Sequence, residues 1–215
     1  AINGGVVKTS GTQSYGEAVT LGADTTLTAS NVTFANTVTG SGSLSVVGNT
    51  TINGGNVTTT GAQHYSALVL LGNDTTVNAG SSAVTFDSTV NSATSTGKAL
   101  TVNTSGVTTF SGALGYTNPL SSLTTDLGGT VAINGGVVKT SGTQSYGEAV
   151  TLGADTTLTA SNVTFANTVT GSGSLSVVGN TTINGGNVTT TGAQHYSALV
   201  LLGNDTTVNA GSSAV

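Results

Sequence analysis

The stretch INGGVVKTSGTQSYGEAVTLGADTTLT fills residues 2–28, and INGGNVTTTGAQHYSALVLLGNDTTVN fills residues 52–78. Fifteen of the 27 aligned positions are identical at an offset of 50 residues. The match resumes after a two-residue insertion with Val32-Thr33-Phe34 against Val84-Thr85-Phe86, and again with Leu44-Ser45-Val46 against Leu100-Thr101-Val102. A third partial copy starts at Gly129 and runs through Ile133-Asn134-Gly135-Gly136. The triplets alternate apolar and polar residues, which is the period of a strand with one side turned to a core. Units that drift by short insertions between such triplets fit a solenoid, where strands stack coil on coil and insertions go to the turns.

A stricter repeat encloses this one. Residues 1–84 recur without change at 132–215, so residues 1–131 form a first full unit and 132–215 a partial second one. Residues 85–131 are the unrepeated remainder. The two copies are expected to form one continuous solenoid. Ala1 is neither an initiator Met nor the start of a signal peptide, and the second copy stops where the first runs on, so the chain reads as a window on a longer array.

Composition agrees with an all-β class. Thr and Val dominate, 32 Gly punctuate the chain, and only 5% of residues are charged, for a net charge of -5. Mean hydropathy is +0.20, too apolar for a chain kept disordered by charge. There is no Cys, hence no disulfide framework and no thiolate metal site. No apolar run approaches the roughly 20 residues of a membrane-spanning helix.

The expectation is a parallel β-helix with about 20–26 residues per coil and about five or six coils per unit. At about 4.8 Å between stacked strands, each unit adds roughly 25–30 Å of length. Alternation sends inward Val19, Leu21, Leu27, Val32, Phe34, Val38, Leu44, Val46, Ile52, Val57, Val69, Leu71, Val77, Val84, Phe86, Leu100, Val102, Val107, Phe110, Val131 and Ile133, with Ile2 and Val7 at the start. The Asn of each INGG (Asn3, Asn53, Asn134, Asn184) is placed at a turn, forming a ladder with Asn of adjacent coils or bonding the turn backbone.

The segments TSGTQSYGEAVTLGADTTLTAS and TTGAQHYSALVLLGNDTTVNAG, with GGTVAINGG and TVTGSGSLSVVGNT, resemble the repeats of large secreted bacterial adhesins of the filamentous haemagglutinin type. The resemblance covers essentially the whole chain through a degenerate pattern. It implies a right-handed parallel β-helix, export to the bacterial cell surface, and a structural role as the stalk of an adhesin or filament.

Chemistry is sparse. The carboxylates are Glu17, Asp24, Asp74, Asp87, Asp126, Glu148, Asp155 and Asp205, and between the 50-residue copies most charges align with neutral residues, which argues against an enzyme. Only Asp24 and Asp74, with their copies Asp155 and Asp205, hold matching places. Their spacing is not that of a tandem calcium loop, and a carboxylate accepting turn N–H groups is the better reading. No catalytic, cofactor or metal residue is nominated. His64 and His195 read as lone surface histidines. Tyr15, Tyr65, Tyr146 and Tyr196 of the G-x-Q-x-Y motif read as covers of the core edge, the alternative being an exposed row that stacks on glycans. Three Lys and no Arg leave no footprint for nucleic acid. Outward Thr rows suit ice binding, but the insertions and the Tyr116-Thr117-Asn118-Pro119 interruption break their regularity. Expected partners are neighbouring repeats, other rods in lateral or end-to-end association, and surface glycans.

Overall fold

A computed structural model describes residues 1–215. It holds no helix; its 26 short strands pair only in parallel and wind into a β-solenoid of about 11 turns with about 19 residues each. Each turn has three strand positions, so the register defines three faces. The first face stacks residues 6–8, 26–28, 45–47, 63–65, 84–86, 108–110, 131–133, 150–152, 169–171, 187–190 and 207–209. On the second lie 12–15, 31–34, 49–52, 69–71, 90–92, Leu114, 137–139, 157–159, 175–178 and 194–196. The third carries Ile2, 19–21, 38–40, 57–59, 76–78, 101–103, 123–125, 144–146, 163–165, 181–183 and 200–202.

The regular turn of about 19 residues falls just short of the expected 20–26 because its corners need few residues. Strands Thr25–Phe34 and Leu44–Ile52 pass from the first face to the second without a loop. Their pairing slips by one residue between Thr28 and Asn31, where Gly48 takes φ 128° beneath the Ala29 carbonyl. Between Val84 and Phe110 the insertions lengthen the turn, as Val84 pairs with Thr108.

One hydrophobic cluster of 40 buried residues runs from Val19 to Val188, so the core passes through the boundary between the copies without a break. Most inward assignments hold, but Val107 is 44% exposed. Phe110 and Val107 are three residues apart and point to opposite sides of a strand, so the buried position falls to Thr108 instead. The INGG asparagines also depart from expectation. Each packs its Oδ1 onto the Leu-Gly glycine of the next turn, Asn53 on Gly72 and Asn134 on Gly153, and no side-chain ladder joins them; the Asn53 and Asn184 backbone carbonyls instead accept from Asn73 Nδ2 and Asn204 Nδ2. An amide ladder does exist elsewhere, where Asn103 Nδ2 donates to Asn78 Oδ1 (2.8 Å) and Asn78 Nδ2 to Thr58 Oγ1 (3.1 Å).

Identical sequence at the two ends shows what a covering turn does. Leu71 is fully buried whereas its copy Leu202 is 53% exposed, because strands 90–92 lie on the former and nothing lies on the latter.

Candidate functional site

The G-x-Q-x-Y motif is a corner clamp. Strand alternation turns both Gln and Tyr inward, and Gln63 is 1% exposed. Its Nε2 faces the Asn78 carbonyl (2.8 Å), Thr59 Oγ1 (3.0 Å) and the Val57 carbonyl (3.3 Å), while its Oε1 accepts from the Tyr65 hydroxyl (2.8 Å). The amide thereby joins the incoming strand, the following turn and the ring beside it. Gln144 repeats this with Thr159, Thr140, Val138 and Tyr146, and Gln13 and Gln194 do likewise.

The tyrosine rings stack on the Phe of the next turn. Centroids are 5.6 Å apart for Tyr15 and Phe34, 5.0 Å for Tyr65 and Phe86, and 5.6 Å for Tyr146 and Phe165. Tyr65 and Tyr146 are fully buried, and burial holds their hydroxyls well above the usual phenol range; Tyr196 is pushed up to about 12 for the same reason. These rings are core, so the exposed glycan-stacking row does not exist at these positions. The Gln had a sequence signal, being retained in all four copies while the residues flanking it vary between the 50-residue copies.

The aspartates act as expected at turns. Asp24 Oδ1 accepts the Ser43 N–H (2.8 Å), Asp74 Oδ1 the Ala99 N–H (2.9 Å) and Asp155 Oδ1 the Ser174 N–H (2.8 Å), each from the next turn. Bonds from Ser43 and Ser174 hold the Asp24 and Asp155 carboxyls below their usual value. His64, by contrast, is not alone: its Nε2 lies 2.6 Å from Asp87 Oδ2 of the next turn, with both side chains 43% exposed.

The two copies of one glutamate differ sharply. Glu17 is exposed, but Glu148 is 1% exposed beside Asp126. Neither Glu148 oxygen has a standing partner, and burial, then the Asp126 charge, pushes its carboxyl up to about 8. The pair belongs to the seam between the unrepeated segment and the second copy. A cavity of about 320 Å³ lined by Ile2, Tyr15, Glu17 and Val19 marks the same seat in the first copy. In the second copy residues 123–126 pack against the equivalent side chains.

The largest departure from a plain three-sided rod is at the corner between the second and third faces. Loops 93–99 and 115–122 stack there on successive turns around buried Asn91 and Ser92. Asn118 Nδ2 donates to the Ser92 carbonyl (3.1 Å), Ser92 Oγ to the Pro119 carbonyl (2.9 Å), and the Thr117 N–H to Asn91 Oδ1 (3.1 Å). Tyr116 stands at the tip, 68% exposed. Elsewhere no three His, Asp or Glu side chains gather as a metal-binding group. No protein-family model, curated protein or solved structure matches the chain.

Proposed function

We propose that the chain is a length of a structural rod, the stalk of an extracellular bacterial surface adhesin or filament of the filamentous haemagglutinin type, and that it works by extension rather than catalysis. The observation that carries this reading is the boundary between units. Strand Thr130–Ile133 straddles it, pairing with 107–110 on one side and 149–152 on the other. Units joined through a shared strand lengthen a rod, and do not hang as beads. At about 4.8 Å per turn, a unit of slightly more than six turns adds about 30 Å. Proteins of one, two and three units, examined by small-angle scattering, should behave as rigid rods whose length grows by that step. A flexible multi-bead profile would overturn the proposal.

A second reading, that the units themselves bind glycans at a cell surface, is favoured by one observation, the exposed Tyr116 in a corner loop that also carries Thr117, Asn118, Ser121 and Ser122. A glycan array probed with the chain and with its Tyr116→Ala variant tests it: a ligand lost on substitution supports adhesion, and a blank array leaves the rod as a spacer.

A further inference from the structure

Residue Val6 and its copy Val137 have identical sequence surroundings, yet they stand on different sides of the rod. Residues 6–8 lie on the first face and 137–139 on the second. Residues 12–15 lie on the second and 143–146 on the third, while 19–21 lie on the third and 150–152 return to the first. Every strand position shared by the two copies makes the same step, and the aromatic pairs show it directly. Tyr15 stacks on Phe34 on the second face, and Tyr146 stacks on Phe165 on the third at the same 5.6 Å.

We infer that successive units follow one another with a rotation of one face, so that each surface feature of the unit winds about the rod and regains its starting side only after three units. The cause is a count. Counting along the faces from 6–8 to 137–139 gives nineteen strand steps, six turns and one face over. The step is tolerated because each corner is built from local contacts, the Gln–Tyr clamp, the aspartate bond and the asparagine over glycine. These need a strand before, a strand after and a turn above, and they are indifferent to which face they occupy. The different surroundings of Glu17 and Glu148 are independent of this count: residues 123–126 lie beneath Glu148, and no turn lies beneath Glu17.

Where units continue in tandem, which rests on the stalk reading, the corner carrying loops 93–99 and 115–122 advances by a third of a revolution per unit. The rod then has no blank side, and whatever contacts this corner, another rod or a surface, meets it from three directions about 120° apart. A unit of whole turns would instead align all such corners in a single row.

Pairs of cysteines in this otherwise cysteine-free chain separate the two geometries. Thr124 and Ser145 are outward partners on the third face. If the unit held whole turns, the copy of Thr20 would keep to the third face, and Thr151 would be the neighbour of Thr124 instead. The Thr124→Cys/Ser145→Cys variant, treated with a short bifunctional thiol reagent matched to the roughly 5 Å between strands, should link. After denaturation and tryptic cleavage at Lys139 the link holds two fragments together. The Thr124→Cys/Thr151→Cys variant should not link. Thr76→Cys/Thr101→Cys, in register within the first unit and separated by Lys98, is the control. The reverse pattern, or a linked control with neither test pair linked, overturns the rotation while leaving the rod intact. An unlinked control overturns the stacked register itself, and the rotation with it. Scattering decides separately whether the units form a stalk.

Discussion

Replacing Gln63 with Ala removes a clamp whose Gln and Tyr are both buried. The Tyr65 hydroxyl loses its acceptor in a site with no access to water, and the Asn78 and Val57 carbonyls lose a donor. An orphaned buried polar group costs about 1–3 kcal/mol, and with the lost packing of the side-chain stem the total should be about 3–4 kcal/mol. Tyr65→Phe alone should cost about 1 kcal/mol, one hydrogen bond with the ring stack retained. In the Gln63→Ala background the same Tyr65→Phe change removes the orphan, so it should be neutral or recover about 1 kcal/mol. Equilibrium urea unfolding of the four proteins, followed by far-ultraviolet circular dichroism, measures a coupling of about 1–2 kcal/mol. Additive costs within about 0.3 kcal/mol would show that Gln63 and Tyr65 do not act as a unit, and the clamp would be wrong.

Identical residues in unlike surroundings supply further tests. Gly16→Ala meets nothing within 4 Å and should be neutral or stabilise by up to about 1 kcal/mol, whereas Gly147→Ala drives a methyl into the Asp126 carbonyl and should lower the melting temperature clearly. Phe110→Ala should cost about 3–5 kcal/mol and Val107→Ala almost nothing, measured by the same denaturation; equal effects would refute the inward register of that strand. Because the folded Glu148 carboxyl binds its proton more tightly than the unfolded one, its contribution is present in mild acid and lost as pH rises toward about 8. Glu148→Gln should therefore flatten the melting profile across that interval, and an unchanged profile would contradict the buried assignment. Asp24 and Asp155 have the opposite sign: their stabilisation is full above the ordinary aspartate range and vanishes as pH falls through their lowered values, so carbon-detected titration should find both below Asp in model peptides.

Much of the fold is legible in residues 2–28 and 52–78, because a strand period of two and a turn glycine are local properties. The inward Phe34 and Phe86 and the aspartate at the turn need only a few neighbouring residues to be recognised. Most of the departures involve what lies one turn away. The burial of Glu148 depends on Asp126, 22 residues earlier, and the pairing of His64 on Asp87, 23 residues later. The buried Gln63 defies hydropathy because its partners are carbonyls, which no side-chain pattern reveals. Val107 departs from the inward pattern for a simpler reason, since two apolar residues three apart cannot both face inward along one strand.

The ladder bonds of this rod run along its length, so a pull on the two ends loads them in tension rather than in shear. Turns then peel away singly, from whichever end is gripped. Each one of about 19 residues releases roughly 60 Å of chain in exchange for the 4.8 Å of height it surrenders. Under traction such a solenoid yields by small repeated slippages and spreads a sudden load over time, and it rewinds on the turns still standing when the force is withdrawn.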